Sequence, residues 1–264
     1  MSTNNTFKWS RFKLLFKQAA IHNSKMMLYS SVGFCGVVFM ILVLSQLGND
    51  FRPHDTDMFL GSLAGFVAIF GILYSGYSFP AFRNKENTTS YLTVPASTFE
   101  KFLFEFSSRI MLMLIVLPFL FWLTFNLEGY VFNLFGGPRF DPVGFSDLIK
   151  TPPPEVDIPF WTFTFATAAT FLIFVLPFTG AAMFSKQPLV KTLFSIALVI
   201  AFFVTYAYIV IEPLGLGDYD VDNSIMWLVP RSESGALKLA TFLAVVANLT
   251  MLSVAYFKLK EKEV

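Results

Sequence analysis

The chain alternates between long apolar runs and short polar connectors, and six of the runs reach or approach spanning length: Met26–Leu47, Met58–Phe79, Ile110–Leu127, Phe160–Phe184, Val190–Ile211 and Ala236–Phe257. A hydrocarbon core of about 30 Å needs roughly 20 apolar residues to cross as a helix. One or two such helices can be buried in a soluble protein, but six in 264 residues leave nothing to shield them. The pattern therefore predicts an all-α polytopic membrane protein with six transmembrane helices. Residues 1–25 form a polar N-terminal segment and residues 26–264 a single six-helix domain. The first run is full spanning length, lies behind a polar lead-in of some 25 residues and carries no small-x-small cleavage site, so it is read as a retained span.

Composition agrees with the pattern. The chain is 55% hydrophobic and 14% charged, with 34 Phe and a mean hydropathy of +0.62, where soluble domains carry about a quarter charged residues. The net charge of +1 hides a sorting by segment. Fourteen of the 19 Lys and Arg residues fall in the N-terminal segment, the connectors after spans two and four, and the C-terminal tail. Eleven acidic residues, from Asp50 to Glu233, fall in the alternate connectors. Because basic residues are retained on the inner side, both termini are expected in the cytoplasm.

The polar segments differ in design. Over residues 7–20, Trp9, Phe12, Phe16 and Ala19 fall on one helical face and Ser10, Lys13 and Lys17 on another. Aromatic anchors opposite lysines describe an interfacial helix; the plainer reading is a basic flank that enforces topology. In the connector after span two, Ser97 precedes Glu100 by three positions, the spacing of a capping box. Pro95 biases Val94 toward extended geometry. The expected order is a short element up to Val94, a break, and a new helix from Thr98 that feeds span three. The segment from Glu128 to Pro159 is Pro-rich and too short for a domain, and Glu212–Gly235 contains an apolar stretch, Ile225–Val229, too short to span, which reads as a re-entrant or interfacial hairpin.

Candidate chemistry is sparse. No Gly-Lys pair exists, so no P-loop is present. His22 and His54 fall on opposite sides of the expected topology, and Cys35 is alone, which leaves no His/Cys metal site and no Cys–His nucleophile. Asp218, Asp220 and Asp222 begin like a calcium loop, but Asn223 and Val229 stand where the turn Gly and the bidentate Glu belong. Glu128 and Glu212 fall at span ends, so no ionisable residue is expected deep in a span. Asn248 and Thr179 are the central polar residues, each suited to an interhelical hydrogen bond. Gly61 and Gly65 on span two permit close helix approach, within one subunit or between two.

The stretch Ser90-Tyr-Leu-Thr-Val-Pro-Ala-Ser-Thr-Phe-Glu-Lys-Phe102, set between spans two and three of a six-span chain with a basic amphipathic N-terminus, resembles the permease subunit of ABC-2 type exporters. Val94 stands where that family more usually has Leu. The resemblance implies a cytoplasmic coupling helix seated in a separate cytosolic ABC ATPase, with Tyr91, Leu92, Pro95, Phe99, Glu100 and Lys101 as the ATPase-coupling residues. Phe99 has a second reading, as an anchor in lipid or core. The resemblance also implies a surface-lying N-terminal helix, which here would carry Trp9, Phe12, Lys13, Phe16 and Lys17, a second permease subunit as homo- or heterodimer, and a bacterial cytoplasmic (inner) membrane location; helix packing through Gly61, Gly65 and Asn248 rests on the residues themselves. No cofactor is expected on this chain, ATP and Mg belonging to the partner, and neither enzymatic activity nor a nucleic-acid partner is expected. The alternative reading is a non-transporting membrane anchor or scaffold that recruits a soluble protein.

Overall fold

A computed structural model describes residues 7–48, 56–83, 88–89, 91, 93–135, 140–145, 160–211 and 233–263. Among these residues 90% are helical and none form strands. The elements are α1 (Trp9–Gly48), α2 (Thr56–Gly76), a 3-10 turn (Pro80–Arg83), α3 (Thr98–Phe106), a π-turn (Ser107–Met111), α4 (Leu112–Leu134), α5 (Phe160–Met183), α6 (Pro188–Ile211) and α7 (Glu233–Glu263). Six helical stretches are long and apolar enough to cross a membrane: Asn23–Gly48, Met58–Gly76, Thr98–Leu134, Phe160–Met183, Pro188–Tyr206 and Ser234–Lys262. Each contains most of one apolar run. Their outer surfaces stay apolar, as on α6, where Phe194, Phe202 and Phe203 are all exposed; such a surface suits lipid rather than water.

Three of the differences between the helix bounds and the apolar runs bear on the packing. α1 runs without interruption for 40 residues, so the boundary drawn at residue 25 falls inside a helix. At 1.5 Å per residue and against a core of about 30 Å, roughly half of α1 extends beyond the hydrocarbon. α2 stops at Gly76 rather than Phe79: Phe79 has φ 53, a left-handed conformation. The hydroxyl of Ser78 donates to the Ser75 carbonyl at 2.6 Å and closes the end. α4 continues seven residues past Leu127, so Glu128 lies inside the helix and fully buried, not at a span end.

Packing divides the chain into two compact units, the boundary falling within the last turn of α2. The first comprises Met1–Tyr74 and Thr93–Val156. Phe34, Val38 and Leu42 repeat every fourth residue along α1 and form a core with Phe59 of α2, Phe121 and Phe125 of α4, and Phe140 and Val143 beyond it. The rings meet edge-on, Phe34 on Phe70 at 4.8 Å and Phe59 on Phe125 at 4.9 Å, each such pair worth about 0.5–1.5 kcal/mol beyond area burial. Residues 140–145 are fastened along α4. The Val143 carbonyl accepts from Trp122 Nε1 at 2.8 Å and Asn126 Nδ2 at 3.2 Å, and its N–H donates to Asn126 Oδ1 at 3.0 Å. Gly129 allows this approach, since a Cβ there would lie 2.4 Å from the Phe140 ring.

The second unit comprises Ser75–Leu92 and Asp157–Val264. α5 packs on both α6 and α7. Asn248 Nδ2 donates to the Ala168 carbonyl at 2.9 Å, and Thr179 Oγ1 lies 3.1 Å from the Met251 carbonyl, so each hydrogen-bonds across the α5–α7 seam. Lys262 Nζ donates to the Ala182 carbonyl at 2.7 Å and lies 5.1 Å from the Phe82 ring centroid. It thereby satisfies one of the orphan carbonyls at the C-terminus of α5, where a cation is favoured. On the other side of α5 a Cβ at Gly180 would fall 1.7 Å from Thr192 Oγ1. That crossing admits no side chain.

Candidate functional site

Several of the candidate residues lie where α3 begins. Pro95 is exposed in a bend whose Ala96 N–H returns to the Val94 carbonyl at 2.8 Å. Ser97 follows in extended conformation, φ −71 and ψ 154, as the N-cap of α3. Its hydroxyl accepts from the Glu100 N–H at 3.2 Å, and its own N–H donates to Glu100 Oε2 at 2.8 Å. The capping box is thus complete, satisfying two of the donors a helix start leaves open.

The second oxygen of Glu100 has a different use. Oε1 accepts from the backbone N–H of Lys8 at 2.6 Å and from Arg11 Nε at 3.2 Å, with Arg11 Nη2 at 3.0 Å. Lys8 directly precedes α1, so one fully buried carboxylate sits at the N-termini of two helices, where the backbone dipoles of both favour a negative charge. Charge-assisted bonds of this kind are worth about 1.5–3 kcal/mol each. The spacing from Ser97 showed the capping box; nothing in the local sequence pointed to Arg11, 89 positions away.

Aromatic rings extend this clamp. Phe12 is buried between Trp9 at 5.3 Å, Phe7 at 5.8 Å and Phe16 at 5.1 Å. Phe16 meets Phe104 of α3 edge-on at 4.9 Å, and Phe7 meets Phe99 at 6.2 Å. The aromatic face of the N-terminal segment is therefore partly occupied by α3, while Trp9, 57% exposed and with the Lys13 ammonium 5.7 Å from its ring, remains outward. Beyond α3 the π-turn admits one extra residue before α4, bridged by an Arg109–Glu105 ion pair at 3.5 Å and by Arg109 over the Tyr74 ring at 4.8 Å. Such turns recur at functional sites, and no residue in Ser107–Met111 signals one in the sequence.

The structure brings Phe99, Glu100 and Lys101 together with Trp9, Phe12, Lys13, Phe16 and Lys17 in one unit. Glu100 and Lys101 are buried, so neither offers its side chain to a partner; Phe99, 46% exposed, and Pro95 do. Tyr91 belongs to the other unit, edge-on to Phe82 at 5.2 Å. Leu92, the acidic turn at 218–223 and the hairpin expected from 212 lie outside the described residues, apart from the few that begin α7. A Cβ at Gly61 or Gly65 would meet nothing within 4 Å, so that face of α2 makes no close contact inside the described chain. The glycines that do meet neighbours closely are Gly76, Gly129 and Gly180, none of them marked by small-residue spacing. Among the described residues no group of three or more His, Cys, Asp or Glu side chains is placed to hold a metal ion. No protein-family model, curated protein or solved structure matches the chain.

Proposed function

We propose that the chain is the transmembrane permease subunit of an ATP-driven, ABC-2 type exporter, lining the substrate pathway and driven by a separate cytosolic ABC ATPase. In this reading it lies in the bacterial inner membrane with both termini in the cytoplasm. The loop of residues about 84–101 is the ATPase seat, and a second permease subunit pairs with it, the open α2 face at Gly61 and Gly65 being available to that subunit. The observation that carries the reading is α3: a capped helix, tied to the start of α1 by Glu100 and joined to α4 with no loop between them. An ATPase that closes on ATP must push on something stiff, and a helix anchored at its start and continuous with a span transmits such a push.

Within this reading Phe99 and Leu92 are contact residues, whereas Glu100 is a positioning residue because its carboxylate is consumed inside the chain. The test is purification of the full chain from membranes of its own organism. A cytosolic protein with a Walker A motif should co-purify, and Phe99→Asp and Leu92→Asp should release it by at least tenfold while the chain still runs as a folded species. Absence of such a partner, or its full retention by both variants, overturns the assignment and leaves a non-transporting anchor.

A further inference from the structure

The start of α1 and the bend ahead of α3 form a groove that shares Val94 and Pro95 with the proposed ATPase seat. Leu14 and Ile21 of α1 and Val94 and Pro95 of the bend line it, with Arg11 and Lys17 contributing charge, and it encloses about 610 Å³. That volume is in the range of small-molecule sites, but the wall is mostly hydrocarbon, and its polar side chains are Arg11, Lys17 and the neutral Gln18. Leu14 and Ile21 are 62% and 68% exposed, so apolar surface is offered rather than hidden. Ile21 lies two residues ahead of Asn23, where the first span begins, so the groove adjoins the membrane boundary on a helix that enters it.

We propose that this groove binds an anionic phospholipid, its acyl chain along Leu14, Ile21, Val94 and Pro95 and its phosphate at Lys17. Three features select this occupant. The apolar wall is continuous along α1 with the span. The segment Trp9–Gly48 holds Arg11, Lys13, Lys17 and Lys25 and no acidic residue, so its charge has one sign. Glu100, the carboxylate bonded to the groove's Arg11, is already matched by Arg11 and the Lys8 N–H, so it does not repel a phosphate at Lys17. A membrane surface with anionic lipid attracts each such cation by about 1 kcal/mol. The bound lipid would hold the bend against α1 and so set how firmly α3 is seated. This rests on membrane insertion and not on an ATPase partner, so either proposal can fail alone.

The test uses delipidated full-length protein in detergent, followed by native mass spectrometry and thermal unfolding during titration with phosphatidylglycerol, phosphatidylcholine or inorganic phosphate. Phosphatidylglycerol should be retained and should raise Tm, phosphatidylcholine should do so less, and phosphate alone not at all. Lys17→Gln, at an exposed position that leaves the fold intact, should weaken phosphatidylglycerol about fivefold, the equivalent of about 1 kcal/mol. Lys260→Gln, on the exposed tail of α7, should change nothing. Equal binding of the two lipids, an equal effect of the two substitutions, or a shift with phosphate alone would overturn the proposal. So would a photo-crosslinker at Ile21 that captures protein instead of lipid in native membranes.

Discussion

The two units close their helices with opposite chemistry. In the first, α1 and α3 are joined ahead of span one by a buried carboxylate that serves two helix starts and a guanidinium, with rings packed edge-on beside it. In the second, α5 and α7 are joined within their spans by a neutral amide and a hydroxyl, and α5 and α6 by a glycine with no room for a methyl group. The difference follows the solvent. A charge at the centre of a bilayer costs at least about 2.5 kcal/mol, so a seam inside the spans is held by shape and neutral hydrogen bonds. Nor does lipid supply a hydrophobic driving force between helices, since its tails are as apolar as Leu. The clamp is strong and local; the seam is the sum of many weak contacts.

If shape holds the seam, the most damaging single change is one of volume. Gly180→Leu inserts a side chain where Thr192 Oγ1 already stands 1.7 Å from the Cβ position, and it should separate α5 from α6. Overpacking of this kind costs typically 1–3 kcal/mol and sometimes more. Yield and thermal unfolding of the purified chain in detergent should both collapse. Gly61→Leu, with nothing within 4 Å of its Cβ position, is the matched control and should unfold like wild type. Equal behaviour of the two variants would mean that seam packing does not decide stability.

The clamp should fail through charge rather than volume. Glu100→Gln preserves size but removes the ion pair and leaves Arg11 facing a neutral amide. A loss of about 1.5–3 kcal/mol is expected, together with hydrogen-exchange opening confined to residues 8–16 and 98–106. Arg11→Met in the same background should add little further loss, because the pair is already broken; a double-mutant cycle reads that coupling directly. Fully additive losses would show that Glu100 acts only as the cap of α3, through its bonds to Ser97.

The two regions also differ in how far the sequence disclosed them. Apolar runs announce spans because lipid leaves helices little alternative, and Ser97 with Glu100 announces a cap because its partners lie three positions apart. Contacts at long separation leave no such trace: the Arg11 and Lys8 bonds to Glu100 span 89 and 92 residues. The glycines make the same point. Four-residue spacing marked Gly61 and Gly65 as able to accept a neighbour, but it cannot say where one is, and inside the described chain the close neighbours stand at Gly76, Gly129 and Gly180. Helix ends depart from the apolar runs where hydropathy and hydrogen bonding part company. The polar Asn126 and Glu128 depress hydropathy near the end of span three, yet the helix continues because both are buried, Asn126 being bonded to Trp122 and Val143.

The smallest expected effect probes the seam from its polar side. Asn248 donates to Ala168 across the interface and to Ala244 within its own helix. Asn248→Leu removes the first bond but fills similar volume with a side chain that lipid-embedded helices accept readily. Interhelical hydrogen bonds in membranes average about 0.6 kcal/mol, so unfolding should shift by that order and the folded state should persist. Thr179→Val removes the companion bond to Met251, and the double variant should lose about the sum, because the two bonds share no atoms. A loss several times larger from Asn248→Leu alone would place the stability of the seam in its polar bonds. The contrast with the Glu100 clamp would then narrow to one of charge alone.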